Sequence, residues 1–229
     1  MKKHKRGKII SLILLCVGVA VIAYPYIEQY LYSNNVNKQL DAFKVEVKEH
    51  ANQYLELYEM MKQYNKDIYD TNQLGLNEPF AFENPSFKLE DWGLIDNIVG
   101  YIDIPDMNVK LPIYLGATKE NLTKGAAHLS QTSVPIGGEN TNSVIAAHRG
   151  YYKAAMFSDI EKLELGDEIY IINYWDTLTY SVVEIKIIEP SQINEILIQE
   201  NRDLVTLITC HPKWEDNKRY IVFCERVDD

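Results

Sequence analysis

The sequence predicts a mainly β domain, a barrel or sandwich with short helices, carried behind an N-terminal helix and a membrane anchor. Three observations predict it. From residue 98 onward the chain breaks into short runs rich in Val, Ile, Tyr and Thr, bounded by Gly, Pro, Asn and Asp. Sustained helical periodicity is confined to the stretch before them. And the first eight residues, MKKHKRGK, run straight into an uncharged apolar segment, IISLILLCVGVAVIAY.

The anchor comes first in the chain. Residues 1–8 hold five of the 23 Lys and Arg and no acid, and no charge follows until Glu28. A positive flank before an apolar run predicts insertion with the N-terminus in the cytoplasm and the remainder outside. The run 9–24 is short for a span, and Pro25-Tyr26-Ile27 extend it toward the roughly 20 residues a bilayer needs. The alternative is a cleaved signal peptide with Val21 and Ala23 before the cut. We expect an uncleaved single-pass anchor, because the run exceeds the usual apolar core of a signal and Tyr24 and Tyr26 suit an interface. Both readings export residues 28–229. The exported part carries 18 basic against 33 acidic residues, a net of about −15 with His neutral. So acidic a surface excludes nucleic acid as a partner, because such binding rests on neutralising phosphates.

A helix follows. Val36, Leu40, Phe43, Val47, Tyr54, Leu55, Tyr58 and Met61 recur at three- and four-residue steps, which predicts a helix packed on the domain rather than a coiled-coil stalk. The pattern dissolves at Asn65. Residues 70–97, with Gly75, Pro79, Pro85 and Gly93, read as an ordered irregular segment of the kind that forms lids, binding loops or linkers. The expected divisions are 1–27 for tail and anchor, 28–69 for the helical region, 70–97 for a lid or connector and 98–229 for the β domain.

Within 98–229 the candidate strands are IVGYIDIP, VKLPIYL, SVIAA, DEIYIINY, TLTYSVVEIKIIE, LVTLITC and RYIVFCE. In the longest, Leu178, Tyr180 and Val182 share one phase and Val183, Ile185 and Ile187 the other, which predicts a bulge or a barrel corner. Short helical pieces are expected at TKENLTKG, KAAMFSDIEKL and QINEILIQ. Seven or eight strands with sparse helices describe a barrel or sandwich.

The chemistry centres on Cys210. A cysteine nucleophile acts as its thiolate, which a neighbouring imidazolium or guanidinium favours. His148 stands where SVIAA opens into the loop HRG, a strand rim of the kind on which sites are built. Arg219 opens RYIVF, and a hairpin through HPKWEDNK would set it near Cys210. His211 adjoins Cys210, but Pro212 biases it to an extended conformation that points it to the opposite face. His128 reads as structural. The bland alternatives are a buried core thiol, a satisfied histidine and a solvated arginine. Cys210 and Cys224 are also candidates for a disulfide in an exported domain, a pairing incompatible with a reactive Cys210. No group of His, Cys or carboxylates shows metal-ligand spacing, so neither metal nor cofactor is expected.

TLITC (206–210) followed by Arg219 in KRYIVF resembles the TLxTC and downstream Arg of sortases, the surface-protein transpeptidases of Gram-positive bacteria. GYIDIP (100–105), LPIYLG (111–116), GAAHL (125–129), TSVPIGGENTNSVIAAHRG (132–150), MFSDIEKLELGDEIYI (156–171) and CERV (224–227) fall in the order that family shows, most like its class C, pilus-assembling branch. The resemblance implies an eight-stranded sortase β-barrel, with Cys210 as nucleophile, His148 as general acid/base and Arg219 as stabiliser of oxyanion and substrate. It implies cleavage of an LPxTG-like sorting signal between Thr and Gly, and transfer of the thioacyl group to an amine. In class C that amine is a pilin lysine; in housekeeping enzymes it is a peptidoglycan cross-bridge amine. A non-catalytic, anchored barrel that binds a cell-wall peptide is the alternative of a different class. Class C enzymes carry an Asp-Pro-aromatic lid over the cysteine, for which Glu78-Pro79-Phe80 is the nearest match and Asp91-Trp92 a second. They usually continue from Cys into Thr-Pro-Tyr and end in a second membrane helix, where this chain has His211-Pro212-Lys213 and reaches Asp229.

Overall fold

The computed structural model describes residues 2–50, 54–76, 89, 97–151, 153–213 and 215–227. Helix α1 (Lys2–His50) continues without a break through Pro25. From Ile9 to Leu31 its large apolar side chains stand exposed, and none of its most apolar stretch is buried in the protein. At about 1.5 Å per residue those 23 or so positions span roughly 35 Å, enough for a hydrocarbon core of about 30 Å. Just past this stretch the Tyr32 hydroxyl donates to Lys124 O at 2.6 Å. Val36, Leu40 and Phe43 are then buried in turn. Helix α2 (Leu55–Asp70) buries Leu57, Met61, Asn65 and Ile68.

One expectation needs correction here. Leu55, expected on the packing face, is exposed at the start of α2, where burial begins at Leu57. Helix α2 reaches Asp70 and so runs on past the point where the apolar pattern dissolves, Asn65. That residue is a buried polar member of the packing face, accepting from Val134 N at 2.8 Å and donating to Val134 O at 3.3 Å.

The rest is one closed barrel. Its strands are β1 (Ile98–Ile104), β2 (Val109–Leu115), β3 (Ala126–His128), β4 (Thr141–Ala146), β5 (Glu168–Ile172), β6 (Thr177–Ile188), β7 (Asp203–His211) and β8 (Lys218–Arg226). Around the barrel they run β1-β2-β3-β4-β7-β8-β6-β5. Closure leaves no unpaired edge. Two neighbouring pairs, β2 with β3 and β4 with β7, are parallel. The first is joined by α3 (Lys119–Lys124), capped by Thr118, whose hydroxyl accepts from Asn121 N at 3.1 Å. Of the short helices expected from sequence, only this one is α-helical. The other two are 3-10 turns at Ile160–Lys162 and Ile193–Ile196. The phase switch in β6 is a bulge, with the register against β8 slipping between Val182 and Glu184. Gly100 lets β1 approach β5 closely, since a Cβ there would lie 2.6 Å from Ile172 O.

Alternation sorts the side chains into two cores. Val205, Leu207, Val222 and Cys224 join Leu111, Ile113, Ile169, Ile171 and Tyr180 in the barrel interior. Ile208, Ile221, Phe223, Val144 and Ala146 face outward, beneath Leu122 and Ile196. His128 lies between these layers with no exposed surface, its Nε2 donating to Thr132 O and Ser133 O at 3.1 and 3.0 Å.

Burial lowers the His128 pKa from 6.5 to about 4, against the opposing pull of those two carbonyls. Between these values the unfolded chain binds a proton that the folded chain refuses, so stability rises with pH there and is lost as pH falls from 6.5 toward 4. The expected loss at pH 4 is about 3 kcal/mol from this residue. Urea unfolding between pH 7 and pH 4 checks it against His128→Gln, which retains a donor but cannot titrate. Equal acid slopes in the two proteins would refute the assignment.

Candidate active site

The two parallel neighbours β4 and β7 bring the chemistry together. Their register runs from Thr141 opposite Asp203 to Ala146 opposite Ile208, where β4 ends. Two further contacts hold the strands together, Ala147 N to Ile208 O at 3.3 Å and the Thr209 hydroxyl to Ala147 O at 2.6 Å. Carried on by two residues, the same register sets His148 opposite Cys210. On the other side of β7, Cys210 pairs directly with Arg219 of β8. Cys210 and Arg219, both in the outward phase of the alternation, therefore form one row with His148, which stands in the loop two residues past the end of β4.

The Arg219 guanidinium is buried and its Nη1 lies 3.9 Å from Cys210 Sγ. The same nitrogen donates to Asp216 O at 2.8 Å and Lys218 O at 3.0 Å, which pins the arginine over the hairpin. His148 is half-buried, and that burial holds its pKa below the ordinary histidine value. Its ring stacks on Tyr151 with centroids 5.9 Å apart, and its carbonyl accepts from Phe157 N at 3.0 Å. His148 and Cys210 open into a cleft of about 420 Å³, lined also by Arg149, Gly150, Glu215 and Asp216. Of three larger clefts, those of about 510 and 490 Å³ lie at the far end of β4 and β7 around Tyr58 and Gly137 and one of about 530 Å³ lies beside Phe43 and Trp175; among the described residues none of the three is lined by a cysteine or histidine.

The disulfide alternative fails on register. Cys224 pairs with Val205, five positions along β8 from the Arg219 that faces Cys210. That separation is about 17 Å, whereas bridged Cα atoms lie within about 7 Å. All three cysteines are free, and burial pushes the Cys224 thiol pKa up. Glu78, Pro79 and Phe80, with Asp91 and Trp92, lie outside the described residues. Among the described residues no group of three or more His, Cys, Asp or Glu is gathered to hold a metal ion.

One cluster was not foreseen. His211 faces away from Cys210, as its place on the strand predicts, and meets Arg149. Arg149 Nη1 lies 2.6 Å from His211 Nδ1, and Nη2 lies 2.6 Å from Glu161 Oε1. The guanidinium also covers the Tyr220 ring at 5.5 Å. Arg149 and His211 follow an opposed pair on neighbouring parallel strands and so are themselves opposed, a relation visible only once β4 and β7 are known to be neighbours. Glu161 arrives on the 3-10 turn Ile160–Lys162, and no local pattern announces it.

The Sortase domain family model matches residues 102–227. The chain is 25% identical over 223 residues to sortase A of Bacillus anthracis, covering 97% of this chain and 95% of that protein. It is 31% identical to sortase D of Bacillus subtilis over 131 residues, 56% of this chain and 63% of the other. Among solved structures, a crystal form of Streptococcus agalactiae sortase C1 superposes with TM-score 0.77 and 32% identity, over 83% of this chain and 98% of that one. Sortase C of Streptococcus pneumoniae superposes at 0.75 with 29% identity, covering 84% and 97%. With its eight-stranded barrel, its cysteine, histidine and arginine in one row and these likenesses, the chain belongs to the sortase family of cysteine transpeptidases and has the architecture of the class C type.

Proposed function

We propose that Cys210 attacks the Thr carbonyl of an LPxTG-like sorting signal, with His148 as general acid/base and Arg219 as the cation at the oxyanion. The single observation that supports this most is the row itself, a free thiol between a rim histidine and a buried guanidinium 3.9 Å away. The Cys210 thiol gives its proton to His148 as Sγ attacks and forms the C–S bond, and Arg219 donates to the oxygen on which charge develops. His148 protonates the leaving glycine amine as the C–N bond breaks, leaving a thioester on Cys210. An incoming amine loses its proton to His148, attacks the thioester and returns the free thiol. The sequence of steps is balanced without a cofactor.

The exposed apolar stretch Ile9–Leu31 would anchor the chain in the membrane by a single pass, with the basic tail in the cytoplasm and the barrel outside. The segment bearing Glu78, Pro79 and Phe80 would act as the lid. The acceptor we favour is a pilin lysine, in line with likeness to a pilus-related sortase C of group B Streptococcus. Housekeeping attachment to a peptidoglycan cross-bridge amine is the second reading, favoured by the sortase A relative that matches almost end to end.

The test is the intact mass of the full chain in detergent micelles after incubation with an LPxTG-type peptide, followed by addition of acceptor. The expected result is an acyl adduct on Cys210, discharged faster by a lysine-bearing pilin peptide than by a cross-bridge peptide. Faster discharge by the cross-bridge amine would move the protein to the housekeeping role. An adduct elsewhere than Cys210 would overturn the mechanism.

A further inference from the structure

The hydrogen-bonded ladder between β4 and β7 stops just before the row that carries His148 and Cys210. The last registered pair is Ala146 with Ile208, and His148 already lies in a loop. Beyond that pair, the Ala147 N to Ile208 O bond at 3.3 Å and the Thr209 hydroxyl on Ala147 O at 2.6 Å carry the connection to the residue just before His148. Each member of the row is followed in sequence by a member of the cluster behind it: His148 by Arg149, Cys210 by His211, Arg219 by Tyr220. Cys210–His211 and Arg219–Tyr220 are consecutive strand residues and point to opposite faces, and Arg149 meets the rear pair from the loop after β4.

On the rear face side chains extend the connection by one more residue. A guanidinium can only donate, so the 2.6 Å contact to His211 Nδ1 makes that nitrogen the acceptor and leaves the imidazole proton on Nε2. The other arm of Arg149 is held by Glu161 at 2.6 Å, and Glu161 also approaches His211 Nδ1 at 3.6 Å. The His211 ring leans on Tyr220 at 5.7 Å, and Arg149 covers Tyr220 at 5.5 Å. One buried arginine thus ties the loop after β4 to the end of β7, to the start of β8 and to the 3-10 turn.

We infer that Arg149, gripped by His211 and Glu161, is a positioning residue that keeps His148 in register with Cys210 past the end of the regular strand pairing. The inference rests on the proposed roles of Cys210 and His148. Its effect is on alignment, and a misplacement of about 1 Å at reacting atoms costs up to about 100-fold in rate.

The experiment measures single-turnover acylation of the full chain in detergent by an LPxTG-type peptide, normalised to folded protein. Arg149→Met is expected to lower the maximal rate by about 30- to 100-fold while the half-saturating peptide concentration changes by less than about threefold. His211→Leu is expected to follow it, and His211→Asn, whose side-chain oxygen replaces Nδ1 as acceptor, to recover most of the rate. Because Arg149 acts through His148, adding Arg149→Met to His148→Ala should slow acylation no further. A purely structural cluster would lower the melting temperature and leave the normalised rate alone, which overturns the inference. So would an equal effect of Arg149→Met in the presence and absence of His148, or equal losses in His211→Leu and His211→Asn. If Arg149→Met does not fold, the two His211 variants decide, since that side chain is partly exposed. Failure of the sortase reading looks different, because the wild type itself would then show no acylation that depends on Cys210, and the inference would fall with it.

Discussion

Cys210→Ala is expected to abolish transpeptidation, with a fall of more than about 10⁴-fold and no acyl adduct in the intact mass. The size follows from chemistry that only this atom can perform. Without the sulfur there is no thioester, and the amide exchange cannot be split into two easier steps. The control is Cys224→Ala, which should leave turnover close to wild type. Cys224 has no exposed surface, sits in the barrel interior and has its thiol pKa pushed up by burial, so it offers neither access nor thiolate. Iodoacetamide should therefore label Cys210 in the folded protein and reach Cys224 only after unfolding. An acyl adduct persisting in Cys210→Ala would place the nucleophile elsewhere and remove the basis of the mechanism. A wild-type protein that binds the sorting peptide tightly without ever cleaving it would instead favour the non-catalytic, peptide-binding alternative.

His148→Ala has the second-largest expected effect, about 10²- to 10⁴-fold in acylation rate. In the proposed mechanism its imidazole protonates an amine leaving group, which is a poor leaving group as an anion. A peptide ester in place of the scissile amide leaves with far less need of that proton. The loss on the ester is therefore expected to be at least tenfold smaller than the loss on the amide, an order of magnitude set by the usual contribution of general acids. Single-turnover rates on the matched amide and ester, each with wild type and His148→Ala, make the comparison. Equal losses on both would mean that His148 serves some other purpose, such as shaping the cleft beside Tyr151.

Much of this arrangement was legible because its signals are local. Alternation in IVGYIDI, VKLPIYL and LVTLITC marks strands with no tertiary information, and the slip of phase between Val182 and Val183 marks the bulge. The hairpin that pairs Cys210 with Arg219 could be anticipated because both flank one short loop. What escaped lacks a local signal. Strand β3 is three residues, Ala-Ala-His, and earns its place only by hydrogen bonding between β2 and β4. Asn65 interrupts an apolar pattern because its partner, the Val134 backbone, is remote in sequence. The Arg149 grip depends on the parallel neighbour relation of β4 and β7, which cannot be known before the barrel is closed. Sequence reasoning set His211 aside for facing the wrong way, and that orientation is what lets it hold Arg149.

Helix α1 runs unbroken from its exposed apolar stretch to the contact of Tyr32 with Lys124 at the end of α3. With Ile9–Leu31 in a bilayer, as proposed, the catalytic domain has a fixed working height. A flexible stalk would let the cleft sweep a volume that grows with tether length, diluting its encounters. A rigid mast confines it to a thin layer parallel to the membrane. Substrates held in the same bilayer by their own apolar segments present their sorting signals within that layer and gain in effective concentration. A soluble polypeptide carrying the same motif gains nothing of the kind, so the selection of partners begins with geometry before any side chain in the cleft is touched.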